Sequence, residues 1–295
     1  GDDSDGANDD QASDQGGAPA PTSPEPDPGE LQPIACRVIM KVLWAARLAR
    51  PDLLRPVSYL ATFVTKWTQK QDRMLHRLMC YIHSSLDHKM VAWVGDKRDQ
   101  VTPHLFADAD FAGCAATSRS TSGSFMVARS PNTSFPIAFS SKRQGCVSHS
   151  TPEAEIVATD HALRVHGIPS IDLWHYFLPH KPPLCVHEDN QAMINVILTG
   201  KNPTMRSLPR THGVQVQKLH DQFSGDYLKL VFETTNRMSA DIFTKAFTDV
   251  SKWKKACWLI NILHSSDFPD IANELPLNDE LYDNAQALAD KAAKA

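Results

Sequence analysis

The sequence predicts an α/β fold, a mixed sheet flanked by helices, with a small helical segment ahead of it and an acidic tail at either end. Three observations carry that expectation. Residues 31–86 have helical periodicity, residues 90–140 hold short β-rich runs, and residues 152–247 alternate helices with strands.

In the helical segment, Ile34, Val38, Ile39, Val42, Leu43 and Ala46 recur at spacings of three and four, giving a first helix that ends before Pro51. A second covers residues 51–65, with Leu53, Leu54, Val57, Leu60 and Val64 on one side; Pro56 kinks its first turn or marks its start. Thr68 caps a third, whose Met74, Leu75, Leu78, Met79 and Ile82 make an apolar face. The apolar and aromatic residues of this segment read as core, and the segment as non-catalytic. Runs at 90–94, 105–111, 123–129 and 135–140, divided by Gly, Pro, Ser and Thr clusters, predict three or four antiparallel strands. A helix from Pro152 runs past Ala162, breaks near residues 167–169 and resumes at 171–177. A strand at 184–187, helices at 190–198 and 214–223, a strand at 227–233 and a helix at 240–247 complete the pattern.

With 295 residues and 42% hydrophobic content the chain can bury a substantial core. Residues 1–30 carry nine Asp/Glu and no Lys/Arg, and read as a disordered acidic tail. From Ser265 onward seven acids face two lysines, with Pro269 and Pro276 interrupting, which predicts a second solvated tail with a weak helix near residues 284–294. The expected organisation is thus a tail at 1–30, a helical segment at 31–97, an α/β domain at 98–250, and a C-terminal helix with an acidic tail at 251–295. Taking −9 for residues 1–30 and −5 for residues 265–295 from the formal −4 leaves about +10 on residues 31–264. That excess favours a polyanionic partner. Six scattered cysteines without metal spacing read as buried free thiols in a reducing compartment. No apolar run approaches the ~20 residues of a membrane span and the N-terminus has no signal-peptide pattern, so the expected location is intracellular, cytoplasmic or nuclear. The opening on Gly1 in place of Met fits a piece of a longer product.

Four acids fall at the ends or starts of these elements. Asp108 shares a strand face with Asp110, and an aspartate inside an apolar strand needs a cation or hydrogen bonds, unless the strand lies at an edge with both acids in water. Glu153 fits the first turn of a helix capped by Thr151, where the dipole accounts for it. Glu155 lies about 200° from Glu153 around that helix, beside the small Ala158 and Ala162, which would let its face approach a sheet. Asp189 and Asp241 each stand near a helix start, where capping competes with function. Gathered together, four such acids repel one another unless divalent cations bind them.

Six blocks occur in order: Asp108-Ala-Asp-Phe-Ala-Gly113, Arg119-Ser-Thr-Ser-Gly123, Phe139-Ser-Ser-Lys-Arg-Gln144, Ser150-Thr-Pro-Glu-Ala-Glu155, Glu188-Asp-Asn-Gln191 and Ala240-Asp-Ile-Phe-Thr-Lys245. In content and order they resemble the ribonuclease H domain of copia-type retrotransposon Pol polyproteins. Residues 31–97, through Ala49-Arg-Pro-Asp-Leu53, resemble the reverse-transcriptase C-terminal segment that precedes it. The resemblance implies a ribonuclease H-like, five-stranded mixed sheet flanked by helices. It also implies metal-dependent hydrolysis of the RNA strand of RNA/DNA hybrids. Asp108, Glu155, Asp189 and Asp241 take the catalytic and metal-binding roles, with two Mg²⁺ ions, or Mn²⁺ in their place. Lys142, Arg143, Arg206 and Arg210 are candidate phosphate contacts, and a reverse transcriptase polymerase domain is an implied partner alongside the hybrid. The chain departs from the family pattern at Arg210-Thr-His-Gly-Val-Gln215, where a Lys-His-Ile-Asp-like run is usual, and in having no histidine between Phe232 and Asp241. It contains no Tyr-x-Asp-Asp polymerase motif. The competing expectation is a catalytically degenerate retroelement remnant that only binds nucleic acid or serves structurally.

Overall fold

The computed structural model describes residues 27–114, 117–202 and 204–267. The residues of the expected N-terminal tail before 27, and the tail and weak helix beyond 267, lie outside the described residues. The helical segment comprises α1 (Gln32–Leu48), a short 3₁₀ turn, α2 (Leu54–Ala61) and α3 (Gln69–Ser84). Thr68 caps α3 as expected: its hydroxyl accepts from Lys70 N, and Gln71 Oε1 accepts from Thr68 N to close a capping box. Ile39, Leu54, Val57, Leu60 and Leu75 are buried, but α1 also exposes Met40 and Leu48 and leaves Trp44 70% accessible, so its large apolar residues are not all core.

After α3 come β1 (His88–Met90), β2 (Trp93–Val94), β3 (Thr102–Asp110), β4 (Thr121–Ser130) and β5 (Thr133–Arg143). These lead into α4 (Thr151–Ala162) and, through a π-helical turn, α5 (Ile168–Phe177). The chain continues through β6 (Leu184–Glu188), α6 (Gln191–Thr199), α7 (Leu208–Thr211), α8 (Val216–Phe223) and β7 (Leu228–Phe232) to α9 (Val250–Leu259) and β8 (Ile262–His264). The architecture is the expected ribonuclease H-like mixed sheet flanked by helices, in the order β2-β5-β4-β3-β6-β7. β3 pairs antiparallel with β4 and parallel with β6, and β6 runs parallel to β7.

The sheet has six strands instead of five. The run at 90–94 splits: Met90 pairs with Ile262 in a separate two-stranded ribbon, while Trp93 and Val94 extend the outer edge of β5. Asp96 fixes that edge by accepting from Ser130 Oγ, Asn132 N and Thr133 Oγ1. The helix expected at 240–247 is instead a 3₁₀ turn, Asp241–Phe243.

Alternation along β3 divides the core. Leu105 and Ala107 join Met126, Val186, Ile156 and Leu163 on the α4 side. Phe106 joins Phe125, Ile242, Phe243 and the helical segment on the other side, together with Cys257 and Ile260 from the C-terminal end. The helical segment and the C-terminal helix therefore close one face of the sheet. Of the six cysteines only Cys114 and Cys257 are buried, which corrects the expectation that all are. Among the described residues no helix is long and apolar enough to cross a membrane.

Candidate metal centre

The site lies at the C-terminal ends of β3 and β6, adjacent parallel strands from which the chain goes on toward opposite edges of the sheet, β3 to β4 and β6 to β7. β3 is interior, flanked by β4 and β6, so Asp108 does not sit at a wetted edge; it is 1% exposed. Asp108 shares the face of Phe106 and meets the 241–245 turn, where Thr244 Oγ1 donates to Asp108 Oδ2. Asp110, two residues on, serves as a latch: its carboxylate accepts from Thr121 N at 2.7 Å and faces Arg55 at 3.4 Å.

Glu155 comes from the other side of the sheet. The cap of α4 is Ser150 and not Thr151, its hydroxyl accepting from Glu153 N. Ala154 and Ala158 pack on Ala109, so α4 approaches the strand closely and buries Glu155. Glu153 does more than face the dipole: it accepts from His149 N at 3.0 Å and lies 3.6 Å from His212 Nε2.

Asp189 follows the last residue of β6 and bridges the two sides. It does not cap α6, because Asn190 does, accepting from Met193 N; Asp189 instead accepts from Thr235 Oγ1. Asp108, Asp189 and Asp241 each offer an oxygen within 4.8 Å of the others, and so do Glu155, Glu188 and Asp189. All four sequence candidates are thus brought together, as two groups sharing Asp189.

Burial, then neighbouring Glu188, holds the Glu155 carboxyl well above its ordinary range, and burial does the same to Glu188 against the hydrogen bond from Asn190 N. Asp108 is raised by burial, opposed by Lys245 and Thr244, and Asp241 is pushed up to about 7 by burial and then by Asp108. Lys245 Nζ stands 2.7 Å from Asp241 Oδ1 and 3.3 Å from Asp108 Oδ1. Burial works against this ammonium, but the two aspartates outweigh it and raise the amine above its ordinary value.

The donors fit a hard divalent cation. All are carboxylate oxygens, and Glu155 Oε2 is buried without a hydrogen-bond partner. Lys142 and Arg143 are exposed at the end of β5, which reaches Asp110 across the sheet through Thr121, while Arg206, just before α7, and Arg210, within it, are exposed near His212, which ends that helix.

Sequence reasoning missed Glu188, Thr244, Lys245 and Arg55. Glu188 had a signal, since it shares its strand face with the apolar Leu184 and Val186 and ends fully buried. Arg55 had none: α2 carries its Nε to Thr244 O at 2.8 Å from 189 residues away in the chain.

No family model matches the chain. Over 134 residues it is 31% identical to an uncharacterized mitochondrial protein of Arabidopsis thaliana, a match covering 45% of this chain and 51% of that protein. The chain therefore spans about half the length of this curated relative. Among solved structures it is similar to the N-terminal RNase H domain of a Mycobacterium tuberculosis protein, with 18% identity, 49% of this chain and 91% of that one covered, and a TM-score of 0.33. It is also similar to the foamy viral protease-reverse transcriptase in complex with RNA/DNA hybrid, with 15% identity, 68% and 25% covered, and a TM-score of 0.38. In the content and order of its six motif blocks the chain is similar to copia-type ribonuclease H regions.

Proposed function

We propose that the chain is a metal-dependent endonuclease that hydrolyses the RNA strand of RNA/DNA hybrids, as part of a copia-like polyprotein. The observation that carries this reading is the convergence of Asp108, Glu155, Glu188, Asp189 and Asp241 at one end of the sheet, with an unpartnered Glu155 oxygen among them. Five carboxylates with one lysine among them form a stable ionised set only with added positive charge.

Asp108, Asp189 and Asp241 would hold one Mg²⁺ or Mn²⁺, and Glu155, Glu188 and Asp189 the other. Such a pair supplies an activated water and stabilises the departing 3′ oxygen. Thr244 holds Asp108 in place through its hydroxyl, and Thr159 and Asn190 N hold Glu188. Lys142, Arg143, Arg206 and Arg210 would meet phosphates around the rim, and hybrid recognition would rest on backbone and 2′-hydroxyl contacts. A reverse transcriptase polymerase domain remains the proposed partner in the longer product.

The test is cleavage of a labelled RNA/DNA hybrid in Mg²⁺ or Mn²⁺ by the wild type and Asp189→Asn. Wild-type cleavage that falls at least about 100-fold in the variant is expected, since Asp189 belongs to both oxygen groups. Salt-dependent hybrid binding without cleavage would favour the degenerate remnant, and equal cleavage by both proteins would place the chemistry elsewhere.

A further inference from the structure

Lys245 puts an ammonium among the oxygens that a cation would use. We propose that Lys245 is a displaceable internal cation: it occupies the Asp108–Asp241 side of the cluster, and a divalent ion enters there only by driving the ammonium off those carboxylates. This rests on reading the cluster as a metal centre.

Asp108 Oδ2 is committed to the Thr244 hydroxyl, which leaves Oδ1 for a cation. Lys245 Nζ already faces that oxygen at 3.3 Å and holds Asp241 Oδ1 at 2.7 Å. A magnesium ion bonds oxygen at about 2.0–2.1 Å, so on Asp108 Oδ1 it would stand within a few ångströms of the ammonium, like charge against like charge in a largely buried site. The lysine has a way out. Its side chain is 36% exposed, and its flexible four-carbon stem lets the ammonium reach solvent without moving the 241–245 turn.

The other side of the cluster differs. Glu155 and Glu188 form no ion pair with Lys245 among the described residues, and Glu155 Oε2 accepts no hydrogen bond. The two cation positions are therefore unequal: the Glu155/Glu188/Asp189 side fills first, and the Asp108/Asp189/Asp241 side fills at higher concentration because the lysine competes.

Calorimetric titration of the full chain with Mn²⁺, without nucleic acid, tests this on the wild type, Lys245→Met and Lys245→Arg. Two unequal binding events are expected in the wild type. Lys245→Met should tighten the weaker one by about tenfold, equivalent to about 1.4 kcal/mol, and leave the tighter one in place. Lys245→Arg, which keeps the charge, should remain close to wild type. In the wild type, acylation of the Lys245 amine, read by mass spectrometry, should rise when Mn²⁺ is added. Unchanged or weaker Mn²⁺ binding by Lys245→Met, or equal tightening by Lys245→Arg, would overturn the proposal while leaving the metal centre intact. An acylation yield that does not rise with Mn²⁺ would overturn it too, and decides the matter even if Lys245→Met fails to fold. No Mn²⁺ binding by any of the three proteins would overturn both the proposal and the metal-centre reading beneath it.

Discussion

Asp241→Asn tests the electrostatics of the cluster separately from its chemistry. Asp241 is pushed from an ordinary 3.8 up to about 7, first by burial and then by Asp108, with Asp189 adding to it. A carboxyl raised in the folded state contributes its full stability below its unfolded value, near pH 4, and loses it as pH rises through about 7. Ionising it in the metal-free protein at pH 8 costs roughly 4 kcal/mol, at about 1.36 kcal/mol per pH unit. Asn keeps the shape without the charge. In EDTA at pH 8, Asp241→Asn should therefore be more stable than the wild type by roughly 2–4 kcal/mol, a gain that vanishes near pH 4. Magnesium should narrow or reverse the difference, because a ligand bound only by the folded state adds about 2.7 kcal/mol at 100 times its dissociation constant, and the variant has lost a ligand. Urea denaturation followed by tryptophan fluorescence, at both pH values and with EDTA or Mg²⁺, measures all four conditions. A variant less stable than the wild type in EDTA at pH 8, or stabilised equally by Mg²⁺, would show that the Asp241 charge does not strain the metal-free cluster.

Two further substitutions probe how the site is held. At Gly123 an added Cβ would lie 2.6 Å from Thr244 Cγ2 and 2.9 Å from Ala240 O, so Gly123→Ala should cost about 1–3 kcal/mol by overpacking. By pushing Thr244 off Asp108 it should also cut hybrid cleavage, and an active variant of wild-type stability would show that the turn need not sit there. Asp52 is fully buried, paired with Arg50 at 2.7 Å and accepting from Tyr81 Oη at 2.9 Å. Asp52→Ala strands the Arg50 guanidinium and should cost about 3–5 kcal/mol in urea denaturation; a loss below about 1 kcal/mol would contradict that.

Where local chemistry decides the structure, the sequence was readable. Thr68 caps its helix, and of the two small residues expected beside Glu155, Ala158 packs on Ala109 together with Ala154, while Ala162 joins the cluster around Leu105. The break expected near 167–169 is a π-helical turn, Leu163–Gly167, that carries the helix onward. A Cβ at Gly167 would lie 3.1–3.2 Å from Leu163, Leu184 and Leu105, so the glycine serves close helix-to-sheet packing instead of ending the helix. What long-range pairing decides was hidden. β8 is three residues long and gains its identity only by pairing with β1, and nothing near residue 55 points to a turn 189 residues later. Lys245 ends the last of the six sequence blocks, but only the folded chain sets its ammonium between Asp108 and Asp241.

Anomalous diffraction from crystals of the chain soaked in Mn²⁺ shows whether the carboxylate cluster holds two ions. Two peaks about 4 Å apart are expected, one among Asp108, Asp189 and Asp241 and the other among Glu155, Glu188 and Asp189, with Asp189 touching both. Manganese bound elsewhere, or a cluster still bridged only by Lys245 at saturating Mn²⁺, would contradict that.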